Sequence, residues 1–195
     1  MIHLFLLILL QFGCGLDNKV DPPKKEGELG GLRFEAQSNS FLRLSENEVS
    51  GVGSLRFKEP LGASPEELRE FELHFHLKDK GVLVLASFSD GKLNNGLNIE
   101  FVRDGKNLKG KVVSHGGRQD ISDSLLEFDA TKDVQLVVSV DNSYGLVAMK
   151  KPGVSVPKGL FFDSRKHLKD KVRSGDGVFW GIFLRNSTIK HVALR

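Results

Sequence analysis

The sequence predicts an all-β chain, folded as an antiparallel two-sheet β-sandwich with one or two short helices. Apolar and polar residues alternate at period two in several runs, and glycine- or asparagine-containing turn signals separate those runs at short intervals. Helix signals are confined to two short segments, which leaves the β pattern to set the architecture.

The elements follow in chain order. Leu4–Leu10 is an unbroken apolar run, well short of the about 20 residues a helix needs to cross a bilayer. Its length is that of the apolar core of a secretory signal, and small Gly13 follows where a signal peptidase needs access. Cys14 is the single cysteine. No internal disulfide can form, and an odd thiol in an exported chain needs another use. The segment resembles a bacterial lipoprotein leader. That resemblance implies a signal peptide over 1–13, lipid on Cys14, and a lipidated tether over 14–31 that anchors the protein to a membrane of the cell envelope. Gly15, standing where an aspartate would retain the protein at the inner membrane, implies the outer membrane. One acyl chain gives only marginal binding, but the several chains such proteins carry make attachment stable. The tether composition agrees: Asp17, Asn18, Pro22, Pro23, Lys24, Lys25, Glu26 and Glu28 leave little to bury.

Residues 32–195 are read as one domain, long enough to bury about 70% of its unfolded surface. In Phe71–Leu77 every second residue is apolar, so one face packs inward while Glu72, His74 and His76 point outward. Gly81–Phe88 is apolar almost throughout, as in a strand covered on both faces. Leu97–Phe101 alternates again, and Lys111–Ser114, Val134–Val140, Gly177–Leu184 and Ile189–Leu194 are further β-rich runs. Ser89-Asp90-Gly91, Asn94-Asn95-Gly96, Asp104-Gly105, Asp141–Gly145 and Asp176-Gly177 supply the turns.

Ser64-Pro65-Glu66-Glu67 has a capping-box pattern with proline at the first helical position. Asp163–Val172 is the second helical candidate, with Gly175 placed to end it. Its Lys166, Lys169, Lys171 and Arg173 read as a solvated face, with contact to anionic lipid or polysaccharide as the alternative.

This order of elements, an alternating strand, an apolar strand, a glycine-rich hairpin and a closing Trp180-Gly181-Ile182 strand, is similar to the concanavalin A-like jelly rolls. That superfamily takes in laminin G-like domains, legume lectins and related glucanases. The resemblance covers residues 32–195 and implies a carbohydrate-binding frame. Its glucanase branch carries Glu-x-Asp-x-x-Glu on one strand, for acid and nucleophile chemistry. Here Glu72-Leu73-His74-Phe75-His76 offers one carboxylate and two imidazoles on one face, without the other two carboxylates. No Gly-x-Ser-x-Gly elbow occurs either. The expectation is therefore a non-catalytic module rather than an enzyme.

Each remaining candidate site also has a plainer reading. His74 and His76, joined by His115, would offer nitrogen ligands to a metal, but two histidines on a wet sheet face need no metal, and none is expected. Asp90, Asn94 and Asn95, or Asp104 and Asn107, have the hard oxygens calcium takes; tight turns demand the same residues. Trp180 lies in a run apolar on both sides and reads as core, while Tyr144, at a turn, is the exposed aromatic candidate. A net charge of +3, with no basic cluster interleaved with aromatics, gives no argument for nucleic acid. The expected function is display of a binding module at the envelope. Carbohydrate is the first ligand class, held on the Glu72, His74, His76 and Tyr144 face. A structural or protein-interaction role in the envelope is the alternative, and a glycan-acting hydrolase the third.

Overall fold

The structure, a computed structural model, describes residues 26–37, 40–58, 68–88, 97–114, 117–121, 128–141, 146–155, 158–161 and 179–195. Cys14, Tyr144, His115, the Asp90–Asn95 turn and both helical candidates lie outside them. Twelve strands are described: β1 (Glu26–Leu29), β2 (Leu32–Ala36), β3 (Phe41–Leu44), β4 (Val49–Phe57), β5 (Leu68–Phe88), β6 (Asn98–Asp104), β7 (Asn107–Ser114), β8 (Gly117–Ile121), β9 (Val134–Asp141), β10 (Leu146–Lys150), β11 (Lys158–Phe161) and β12 (Phe179–Leu194). There is no helix among the described residues. Residues 26–29, read from the sequence as the end of the tether, pair with β2, and Leu29 is buried.

Every strand pair is antiparallel, and all twelve strands are joined by hydrogen bonds into one sheet. Two layers arise because this sheet folds on itself at a corner. Arg185 pairs with Val82 and Ser187 with Leu77, so β12 steps over one residue where β5 steps over four. Both strands turn there through left-handed backbone, at Lys80 (φ 54°) and Asn186 (φ 51°). The Ser187 hydroxyl secures the corner by donating to the Val82 carbonyl at 2.8 Å and accepting from the Arg185 amide at 3.2 Å. Gly81 is required beside it: a Cβ would stand 2.6 Å from the Asn186 carbonyl oxygen.

The first layer holds β3, the opening of β4, the second half of β12, the first half of β5, and β9–β11. The second holds β1, β2, the end of β4, the first half of β12, the second half of β5, and β6–β8. Their inner faces meet. Phe71, at the far end of the first layer, packs on Trp180 of the second with centroids 4.6 Å apart, and Phe75 packs on Phe101 at 5.7 Å. Alternation supplies the core, with Phe71, Leu73, Phe75 and Leu77 from one half of β5 and Leu83 and Leu85 from the other, all fully buried. The expected all-β antiparallel sandwich is what forms. The runs Phe71–Leu77 and Gly81–Phe88, however, are two halves of a single folded strand.

Candidate functional site

On the outer face of the first layer, β5 presents Glu70, Glu72, His74 and His76 in file, as period-two geometry requires. Each finds a partner from a neighbouring element. Glu70 accepts a hydrogen bond from the Ser139 hydroxyl (2.7 Å) and faces the Lys150 ammonium at 3.8 Å. Glu72 Oε2 accepts from both Nε (3.0 Å) and a terminal nitrogen (2.6 Å) of Arg195. His74 Nε2 and His76 Nδ1 lie 3.4 and 3.2 Å from the two oxygens of Asp133, which also accepts from the Lys190 ammonium at 2.6 Å. That hydrogen bond holds the Asp133 carboxyl below its ordinary pKa; the charge of Lys190 and the nearness of His74 add to the lowering, while burial opposes it. The imidazoles are 28% and 32% exposed, so this face is open to solvent.

The sequence reading singled out Glu72, His74 and His76, and the structure places them side by side. Asp133, Lys190 and Arg195 were missed because they come from a loop, a bulge and the chain end, and sequence periodicity carries no signal for their convergence. Two imidazoles oriented by one carboxylate are equipped for proton transfer. The Lys190 cation also sits on that carboxylate, at 2.6 Å. Among the described residues no group of three or more His, Cys, Asp or Glu side chains is arranged to hold a metal ion. Asp104 and Asn107 close the β6–β7 hairpin, and Lys109 pairs with Asp104.

On the outer face of the second layer, small side chains between larger ones outline a trough that the sequence reading missed: Gly181 and Ala86 are paired across β12 and β5, and both are covered by their surroundings although they lie on the outward face. Around them stand Arg56, paired with Gly181, and Asn98, paired with Ala86. One row toward the corner, Phe183, Val84, Glu100 and Lys111 lie in register across four strands. Phe179 and Phe183 are half-buried rings. The Arg56 guanidinium lies 4.3 Å over the Phe179 ring, and Lys111 pairs with Glu100 at 2.6 Å. Asn98 Oδ1 is buried and finds no hydrogen-bond partner among the described residues, which native structures rarely tolerate. Gly177–Leu184 reads as apolar on both faces, so nothing in the sequence marks Phe179 and Phe183 as lining a surface. Trp180, between them, packs in the core as expected.

No family model and no curated protein matches the sequence. Solved structures share the fold. An alginate lyase from Pseudomonas aeruginosa superposes with TM-score 0.50 at 10% identity, over 84% of this chain and 82% of that one. GH43B of the Bacteroides ovatus xyloglucan PUL gives 0.50 at 12% identity, over 83% of this chain and 36% of that one. Galectin LEC-6 from Caenorhabditis elegans gives 0.46 at 11% identity, over 78% of this chain and 99% of that one. The two likenesses at TM-score 0.50 establish a jelly-roll sandwich. They also correct the expectation that the chain is not an enzyme: a chain named an alginate lyase shares this frame over 82% of its length, and a GH43 protein carries it over 36%, so missing glucanase carboxylates are no argument against catalysis.

Proposed function

We propose that the domain engages polysaccharide in the trough of the second layer, and that a lipid on Cys14 displays it at a bacterial cell envelope. The observation that carries the glycan reading is the combination found there. Half-buried Phe179 and Phe183 offer flat apolar plates for the CH faces of sugar rings. Arg56, Asn98, Glu100 and Lys111 offer donors and acceptors for hydroxyls. The orphaned Asn98 oxygen gives a hydroxyl donor a place to bind. Titration calorimetry against neutral β-glucans and uronate-rich polysaccharides tests this. Phe183→Ala is expected to weaken binding about tenfold, as loss of a stacking contact does, and Asn98→Ala by a similar factor. Unchanged affinity in both variants would place the ligand elsewhere. The anchor is tested by palmitate labelling of cells, which is expected to vanish in Cys14→Ala.

A second reading rests on the His74–Asp133–His76 group. A carboxylate orienting two solvent-open imidazoles supports glycan cleavage at the first layer, with the histidines moving protons. Turnover that is lost in His74→Ala and His76→Ala but kept in Phe183→Ala would favour it over the trough.

A further inference from the structure

The corner where the sheet folds carries an exposed apolar pair among cations. Phe41 is 81% exposed and Val52, its partner across β3 and β4, is 41% exposed. Val52 pairs in turn with Arg185 on β12, so Phe41 and Arg185 stand on one row about 10 Å apart, two strand spacings. The turn residues Lys78 and Lys80 project beside that row, and both are exposed, as are Arg43 and Arg185. No ion pair with a described residue engages Arg43, Lys78, Lys80 or Arg185. The acidic residues nearby are Asp79, between the two lysines, and Glu46 and Glu48 on the β3–β4 turn beyond Arg43. The balance at Phe41 itself is therefore positive.

A phenyl ring this exposed, set beside cations, has the composition of an interfacial anchor: the ring enters the boundary of the acyl region while the cations meet phosphates. We propose that this corner docks the domain onto an anionic lipid headgroup surface. Charge complementarity favours that occupant, and Phe41 separates it from a soluble polyanion, which would engage the cations and gain nothing from the ring. Proximity, which rests on the lipid-anchor reading, is also supplied: about a dozen residues between Cys14 and β1 span at most about 40 Å. The test uses unlipidated chains, so failure of the anchor and failure of the docking surface are read separately.

Full-length chains carrying Cys14→Ala are co-sedimented with vesicles of phosphatidylglycerol and phosphatidylethanolamine, or of phosphatidylcholine alone. The apolar run Leu4–Leu10 is common to every variant and cancels. The expected result is preferential binding to the anionic vesicles. Phe41→Ser should weaken it about tenfold, and Phe41→Leu should retain most of it. Lys80→Gln with Arg185→Gln should weaken it about 25-fold, at about fivefold per cation near a charged surface. Equal binding of all variants, or equal binding to both vesicle types, overturns the proposal. So does binding to dextran sulfate that matches the vesicles and falls in the charge variants but not in Phe41→Ser, which would assign the corner to an anionic polysaccharide.

Discussion

Asp133 shows how one side chain ties separate elements together. It sits before β9, takes its strongest hydrogen bond from Lys190 on β12, and faces two histidines of β5. The cluster is solvent-open, so the ion pair is worth well under the buried-pair value; Asp133→Asn is expected to cost less than about 1 kcal/mol at pH 7. The sign with pH is fixed. The folded-state pKa lies below the unfolded value of about 3.9, so the ionised carboxylate stabilises the fold above that value, and the contribution fades as pH falls through the folded one. Urea titrations of both proteins should differ at pH 7 and converge below about pH 3; a gap that widens in acid would mean that Asp133 is not held as an anion. The two outermost cases among the phenylalanines make a second prediction. Phe71 is fully buried against Trp180, and Phe41 is 81% exposed. Phe71→Ala should cost about 3–5 kcal/mol and Phe41→Ala less than about 0.5 kcal/mol, measured by thermal unfolding in circular dichroism. Glu72, His74 and His76 were legible as one face because a single strand carries them two apart, whereas Asp133, Lys190 and Arg195 reach that face only through pairing between distant segments. The trough was illegible for another reason. Gly181 and Ala86 look like core residues in a one-dimensional pattern, and nothing in that pattern separates a Phe that faces inward from one that lines a surface.

At the scale of the strand, the corner between the halves of β5 decides the architecture. A continuous β5 would be about 70 Å long at 3.3 Å per residue, far too long for one layer of a domain this size. The step over residues 78–81 folds it, and β12 folds with it at Asn186. In sequence Phe71–Leu77 and Gly81–Phe88 read as two strands, and nothing in that pattern shows that one partner spans the turn Lys78-Asp79-Lys80-Gly81 between them. The same partner strand, β12, runs along both halves, so the turn bends a ladder instead of ending one. Such a corner depends on particular backbone conformations. Lys80 holds φ 54°, at a cost of about 1 kcal/mol for a residue with a Cβ. Lys80→Gly relieves that cost but adds freedom to the unfolded chain, so the net change should lie within about 1 kcal/mol of zero. Gly81→Ala instead drives a Cβ to 2.6 and 2.7 Å from two backbone carbonyl oxygens, which cannot yield without moving the ladder. It should destabilise by about 2–3 kcal/mol, and urea unfolding of the two variants compares them directly. If Gly81→Ala is silent, the corner is looser than the ladder pairing requires.

Across the whole molecule the order of strands differs sharply from their order in the chain. The last strand, β12, lies at the centre, paired along its length with β5 on one side and β4 on the other. Among the described strands only it, β4 and β5 run through both layers, so neither inner face can be covered until it is in place. Its second half supplies Ile189 and Val192 to the core, and Ser187 to the corner. A chain that ends at Asn186 therefore loses more than those side chains: Leu73, Phe75 and Leu77 on β5 lose the strand on one side, β9 remaining beside Leu73 and Phe75 on the other, and the first layer splits between β5 and β4. Edge exposure of that kind invites association rather than a smaller folded domain. We expect the truncated chain to show no cooperative thermal transition and to aggregate, with the fluorescence of Trp180, which is buried in the intact domain, shifted to longer wavelength. A cooperative transition in the truncated chain would show that the second layer folds alone, and the two layers would then be separable units. Pairing of this range also sets the rate. With the central ladder formed between residues far apart in the chain, as Val82 and Arg185 are, closure must wait for a large loss of chain entropy. Refolding is expected in milliseconds to seconds rather than microseconds, and Gly81→Ala, placed at the bend of that ladder, is expected to slow it if the corner forms before the rest of the sandwich.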